Sequence, residues 1–146
     1  MTARRVSLAL GLVLLAACTR RTPRTAVGAL APGLDGFVAA HPLASGQAIR
    51  IDEVGRTAGA SFHLVQARGS ETPHRHAAHD LTVVVLRGQG TLTLEGARLV
   101  LAAGDVVVVP RGAAHWFANE GRPDALALVA IAPPLDAPDV VPVYGR

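Results

Sequence analysis

The chain has 146 residues, a length that excludes a pair of ordinary domains. Of these residues 50% are apolar and 17% charged, a composition that excludes a disordered chain. Its formal net charge of +3 comes from arginines near the N-terminus, because residues 46–134 contain eight arginines and eight acidic residues. That segment is neutral and carries no basic stripe, so we exclude nucleic acid as a partner.

The first 18 residues have the layout of a targeting signal. Arg4 and Arg5 precede an apolar run over residues 6–17. A run of about a dozen residues is short for a membrane span and typical of a secretory signal. Residues 15–18, Leu-Ala-Ala-Cys, resemble the lipobox of bacterial lipoproteins, in which the signal is cut just before a diacylated cysteine. We therefore predict lipidation of Cys18, with an ordinary signal or a free thiol as the alternative.

The predicted lipid anchor places the protein in the bacterial cell envelope, attached to a membrane. The residue after the cysteine is Thr19 and not an aspartate. By resemblance to Gram-negative lipoproteins, this favours the periplasmic face of the outer membrane if the cell is Gram-negative. Residues 19–45 are rich in Arg, Ala, Pro and Gly without a clear period, which predicts a flexible tether.

Residues 46–134 predict a single all-β domain. Short apolar segments alternate with turn residues, and no helical period is longer than one or two turns. The segments are Ile49–Val54, Ser61–Ala67, Leu81–Leu86, Thr91–Leu94, Arg98–Leu101, Val106–Val109, His115–Ala118 and Ala125–Ile131. This pattern indicates a sandwich or barrel. Four prolines after residue 131 predict an extended C-terminal tail over residues 135–146.

Three histidines have the spacing of metal ligands. His74 and His76 are two residues apart, so both side chains lie on one face if the chain is extended there. His115 follows an apolar run that ends in a proline and a glycine. Neutral imidazoles bind Zn, Fe, Ni and Mn, and three of them leave coordination positions open for substrate. His63 lies inside a predicted strand, and we keep it outside the site.

The two histidine-bearing stretches together resemble the cupin superfamily. Residues 104–119, Gly-x5-Pro-x-Gly-x2-His-x3-Asn, are similar to its second conserved motif. Residues 69–88, with a His-x-His pair inside, are similar to the first. The resemblance implies a double-stranded β-helix, or jelly-roll barrel. It also implies a divalent transition metal, with Fe, Zn, Mn and Ni not distinguished, held by His74, His76 and His115.

The first motif departs from the family pattern at its fourth position. The family normally has a glutamate three or four residues after the second histidine and six residues before a glycine. Counting forward from His76 gives Asp80 this role, whereas counting back from Gly88 gives it to Leu81. If Leu81 faces inward, alternation puts His79 on the same face and Asp80 on the other. We favour the backward count, which predicts His79 as a fourth ligand, with Asp80 as the alternative.

These features predict a lipid-anchored cupin that binds a divalent transition metal and acts as an oxygenase or isomerase on an unknown small molecule. Two other functions stay open: a non-catalytic envelope lipoprotein that binds a small ligand or a metal, and a degenerate structural cupin without metal. A homodimer is compatible with the sequence. No catalytic residue is assigned, because Glu71, Glu95 and Glu120 all fall in predicted loops.

Overall fold

The computed structural model describes residues 33–144. The predicted signal segment, Cys18 and the first part of the predicted tether lie outside the described residues. Among residues 33–144, no helix is both long enough and apolar enough to cross a membrane.

One helix and ten strands make up the described part of the chain. In chain order they are α1 (Leu34–Ala40), β1 (Ile49–Arg56), β2 (Ser61–Ala67), β3 (His74–His76), β4 (Asp80–Arg87), β5 (Gln89–Leu94), β6 (Ala97–Ala102), β7 (Val106–Val109), β8 (His115–Ala118), β9 (Ala125–Ala132) and β10 (Val140–Pro142). Each of the eight predicted apolar segments forms a strand. The His-x-His pair and part of the C-terminal tail form β3 and β10.

The strands form two five-stranded antiparallel sheets. The first has the order β1-β2-β9-β4-β7 and the second the order β10-β3-β8-β5-β6. This arrangement confirms the predicted all-β jelly-roll barrel. Because β3 and β8 are neighbours in the second sheet, the two strands that carry the predicted ligands lie side by side.

The space between the sheets is lined by buried aliphatic side chains from both of them. They are Leu81, Val85, Leu92, Leu101, Val109, Val129 and Ile131. Removing such side chains from water is the main favourable contribution to folding, at about 25 cal/mol per Å² of apolar surface. The same side chains line a cavity of about 410 Å³. The interior of the barrel is therefore both the core and a space large enough to hold a small molecule.

Two glycine positions fix β5 against its neighbours. Glu95 and Gly96 join β5 to β6 with φ values of 49° and 83°, as a two-residue type I′ hairpin loop requires. At the other end of β5, a Cβ on Gly90 would overlap the Phe117 ring and the Ala118 carbonyl oxygen. The absence of a side chain at Gly90 thus lets β8, the strand that carries His115, approach β5 closely.

Part of the predicted tether is folded onto the barrel. Helix α1 lies within residues 19–45, and its Leu34 is buried against Leu64 of β2. The Gln66 side-chain amide donates a hydrogen bond to the His41 carbonyl at 2.7 Å, which ties the chain after the helix to the same strand. The expectation of a flexible tether as far as residue 45 therefore differs from the structure. A seven-residue helix is too short to show an apolar period in the sequence.

Candidate metal centre

Strands β3 and β8 bring three histidines together on the cavity wall. His74 lies directly opposite His115 in the antiparallel pair, and alternation along β3 puts His76 on the same face as His74. One ligand nitrogen from each of the three lies within 4.8 Å of the other two. The ring centroids of His74 and His115 are 4.4 Å apart, and those of His76 and His115 are 5.5 Å apart.

All three rings already use the same nitrogen, Nδ1, in a hydrogen bond. The acceptors are the Thr72 carbonyl for His74 at 2.8 Å, the Ala113 carbonyl for His115 at 3.0 Å, and the Asp139 carboxylate for His76 at 2.7 Å. Carbonyl and carboxylate oxygens accept hydrogen bonds, so each Nδ1 carries the hydrogen and donates it. The lone pair of each neutral ring is then on Nε2, which is the nitrogen left free to bind a metal.

Burial keeps the most enclosed of these rings neutral. Desolvation lowers the pKa of His115 to about 4, and the hydrogen bond to Ala113 offsets this only in part. The nearby His74 and His76 rings lower the pKa of His115 further. A histidine with this pKa is neutral near pH 7 and can bind a cation without first losing a proton. The donor set therefore fits a divalent transition metal, because three imidazoles with free Nε2 atoms lie together on the cavity wall.

At the position of the family's glutamate, the structure agrees with the count back from Gly88, which puts Leu81 there and facing inward. Leu81 is 7% exposed and lines the same cavity as the triad. Asp80 is paired with Arg111, with 2.6 Å between Asp80 Oδ2 and Arg111 Nη2. The hydrogen bonds from the Arg111 side chain and backbone lower the pKa of Asp80 to about 2. Asp80 is thus a partner in a surface ion pair and does not line the cavity.

His79 is not part of the cluster formed by His74, His76 and His115. Its side chain is buried, and its Nδ1 donates a hydrogen bond to Asp139 Oδ2 at 2.5 Å. Alternation along a strand predicts His79 beside Leu81, but β4 begins at Asp80, so His79 lies in the connection between β3 and β4. Within residues 33–144, the cluster of ligands is three histidines without a carboxylate.

Asp139 is a site residue that sequence reasoning misses. Its carboxylate accepts hydrogen bonds from the Nδ1 atoms of His76 and His79 and from the backbone N–H of Ala78. Burial alone would raise the pKa of Asp139, but these hydrogen bonds outweigh it and lower the pKa to about 2. Asp139 belongs to a proline-rich tail and to neither motif. No pattern in one sequence links it to a histidine 63 residues away.

The rest of the cavity wall is almost entirely apolar. Besides the triad, the polar side chains that line it are His63, Glu71 and Thr72, and among the described residues no arginine does so. His63 Nε2 lies 2.9 Å from the Ser61 hydroxyl, and burial lowers the pKa of His63. His63 is not part of the cluster of three histidines, but it lines the same cavity.

Glu71 lies on the cavity wall although it belongs to a loop. Its Oε2 accepts the Phe117 N–H at 2.9 Å, and the Phe117 carbonyl accepts the Glu71 N–H at 2.8 Å. These two bonds hold the loop before β3 against β8. Among the described residues no donor contacts Glu71 Oε1, so this oxygen can accept a hydrogen bond from a bound molecule. Because Glu71 falls in a predicted loop, the sequence did not assign it to the site, although it is only three residues before His74.

Comparisons with known proteins agree with this geometry. The family model described as Cupin domain matches residues 61–131, the span that contains both motifs. The structure of KdgF from Halomonas sp. is 31% identical and covers 61% of this chain and 82% of its own, with a TM-score of 0.57. The chain belongs to the cupin superfamily.

Two other relatives are similar to this cupin over more than half of its length. An uncharacterised protein of Aquifex aeolicus (strain VF5) is 40% identical over 95 residues, which is 65% of this chain and 78% of that protein. A structure from Acidithiobacillus ferrooxidans ATCC 23270, provisionally assigned as a sugar phosphate isomerase, is 30% identical with a TM-score of 0.51. It covers 57% of this cupin and 58% of its own chain.

Proposed function

We propose that this cupin holds a divalent transition metal at His74, His76 and His115 and isomerises a small, uncharged carbonyl compound by proton transfer. The observation that carries the proposal is the composition of the cavity wall. Three histidines with free Nε2 atoms and one carboxylate, Glu71, lie on a wall that is otherwise almost wholly apolar. A volume of about 410 Å³ suits a small organic molecule.

Glu71 is the residue that would move the proton. A divalent metal bound by the triad supplies a Lewis acid that polarises a substrate oxygen. Glu71 Oε1 would take a proton from the hydroxyl-bearing carbon next to that carbonyl and return it to the former carbonyl carbon, while the hydroxyl proton passes to the former carbonyl oxygen. The carbonyl group then changes place without net oxidation or reduction. The hydrogen bonds of the Glu71 N–H and Oε2 to the backbone of Phe117 hold the carboxylate on the cavity wall for this role.

The absence of cationic side chains from the described cavity wall argues against a phosphorylated substrate. A phosphate group would bring about two negative charges into the barrel, and binding it normally takes an arginine, a lysine or a helix N-terminus. The sequence has no lysine, and no described arginine lines the cavity. Burial of an unpaired phosphate in an apolar cavity is strongly unfavourable. We therefore expect a substrate that differs in charge from a sugar phosphate.

An oxygenase is the second candidate. The described cluster has three histidines, with Leu81 where the family normally has a glutamate. Such a set resembles the sites of some cupin dioxygenases that oxidise thiols or cleave diketones. An apolar wall suits those substrates as well.

The experiment that tests the proposal measures hydrogen exchange. Metal-loaded protein is mixed in D₂O with uncharged hydroxyketones or with their phosphorylated counterparts, and NMR follows deuterium at the carbon next to the carbonyl. We expect exchange with the uncharged compounds, and a fall of about 100-fold or more in Glu71→Gln. Glu120→Gln is the matched control, because Glu120 pairs with Arg98 on the surface.

Other outcomes select the alternatives. Exchange that survives Glu71→Gln, or that occurs only with phosphorylated compounds, contradicts the proposal. Oxygen consumption by the Fe(II)-loaded protein with an apolar diketone, without exchange, supports the oxygenase. Saturable binding without any product supports a binding module.

We also propose that the barrel is attached to a membrane of the cell envelope through a lipid on Cys18. The support is the sequence alone, where the single cysteine follows Leu-Ala-Ala at the end of the apolar run. Metabolic labelling with a radioactive fatty acid in a bacterial host should label the protein and should not label Cys18→Ala. Equal labelling of the two chains would exclude this attachment.

A further inference from the structure

The three histidines of the triad are oriented in two different ways. His74 and His115 each donate from Nδ1 to the backbone carbonyl two residues earlier, Thr72 and Ala113. Their orientation is therefore set locally, by their own strand and the loop before it. His76 instead donates to the side chain of Asp139, 63 residues further along the chain.

The carboxylate of Asp139 is itself tightly held. Its Oδ1 accepts from His76 at 2.7 Å, and its Oδ2 accepts from His79 Nδ1 at 2.5 Å and from the Ala78 N–H at 3.2 Å. The Asp139 side chain is 12% exposed, and those of His76 and His79 are 10% and 9% exposed. Three hydrogen bonds in an enclosed setting leave this carboxylate little freedom to turn.

The C-terminal segment is joined to the ligand strand along the whole length of β3. Val140 of β10 pairs with His76, and Pro142 pairs with His74. Beyond the strand, the Val143 N–H donates to the Pro73 carbonyl at 2.9 Å. The family model ends at residue 131, so this segment is an addition to the part of the barrel that the model matches.

We propose that Asp139 is a positioning residue of the metal centre, which holds His76 with Nδ1 protonated and Nε2 directed to the metal. His79 is then the second donor that fixes the carboxylate, and it is not a ligand. Carboxylates that accept from a metal-bound histidine orient the ring and raise its basicity. Strand β10 is accordingly a functional part of the site. This inference rests on the proposed metal binding by the triad.

The test uses the full chain purified in detergent and Co²⁺ as the probe. The dissociation constant is measured by competition with a chelator, and the visible absorption of Co²⁺ reports the geometry of its ligands. Asp139→Asn is expected to raise the dissociation constant by about 10- to 100-fold and to change the absorption spectrum. Asp136→Asn is the matched control, because Asp136 is in the same segment and pairs with Arg56. It should leave both measurements unchanged.

The outcomes separate the inference from the proposed function. If the unmodified chain binds no Co²⁺, metal binding itself fails. If it binds Co²⁺ and Asp139→Asn lowers only the melting temperature, with the same dissociation constant and spectrum, Asp139 has a merely structural role and the inference is wrong.

A second variant covers the case in which Asp139→Asn does not fold. His79→Ala leaves the contact between Asp139 and His76 in place and removes one of the donors that fix the carboxylate. We expect it to raise the dissociation constant, but by less than Asp139→Asn does, because the direct partner of His76 is kept, and we expect the Co²⁺ spectrum to stay the same. An unchanged dissociation constant, or a loss of Co²⁺ as complete as in His76→Ala, would overturn the inference.

Discussion

Replacing His76 with alanine is expected to empty the metal centre. A form of the protein that starts after Cys18, purified without added metal, should carry close to one divalent transition metal per chain. The variant should carry almost none, because two neutral imidazoles bind far more weakly than three. Elemental analysis of both proteins measures this directly. In a thermal melt, metal at about 100 times its dissociation constant should stabilise only the unmodified protein, by about 2.7 kcal/mol.

The matched control for this experiment is Asp80→Asn. The forward count of the first motif makes Asp80 a ligand, whereas the structure pairs it with Arg111 on the surface. We therefore expect Asp80→Asn to keep its metal. A metal content near zero in both the unmodified protein and His76→Ala, with the barrel intact, would exclude the metal centre. Loss of metal in Asp80→Asn would show that the forward count describes the ligand set.

The sequence predicts the parts of the fold that local patterns encode. Apolar segments between glycines and prolines mark eight of the strands. The His-x-His spacing places His74 and His76 on one face, and the second motif identifies His115. These three residues meet because β3 and β8 pair in register, and the family resemblance is what implies that pairing.

The rest of the site depends on contacts that no local pattern encodes. Asp139 reaches His76 only because the proline-rich tail forms β10 beside β3. Glu71 is held on the cavity wall by hydrogen bonds of its own N–H and Oε2 to the backbone of Phe117. The role of His79 is missed for a different reason: alternation holds only inside a strand, and β4 begins one residue later.

Replacing Leu81 with glutamate is expected to make the stability of the barrel depend on metal. Leu81 is buried and lines the cavity with the triad, at the position where the family normally has a glutamate. Without metal, a carboxylate there has no partner, and an uncompensated buried charge costs about 3–5 kcal/mol. With metal, the carboxylate can become a fourth, anionic ligand, and much of that loss should be recovered. Urea unfolding with and without Zn²⁺ measures both effects.

Two matched variants show whether this recovery comes from coordination. Val85→Glu puts the same charge on the same strand and the same face, four residues further from the connection that carries His79. It should lose a similar amount of stability and gain no more from Zn²⁺ than the unmodified protein does. Leu81→Gln has the shape of the glutamate without its charge, and it should gain less than Leu81→Glu. Equal recovery in Leu81→Glu and Val85→Glu would mean that Leu81 does not face the triad. Recovery confined to Leu81→Glu would mean that the leucine at this position is the reason why the proposed centre has three histidine ligands and no carboxylate.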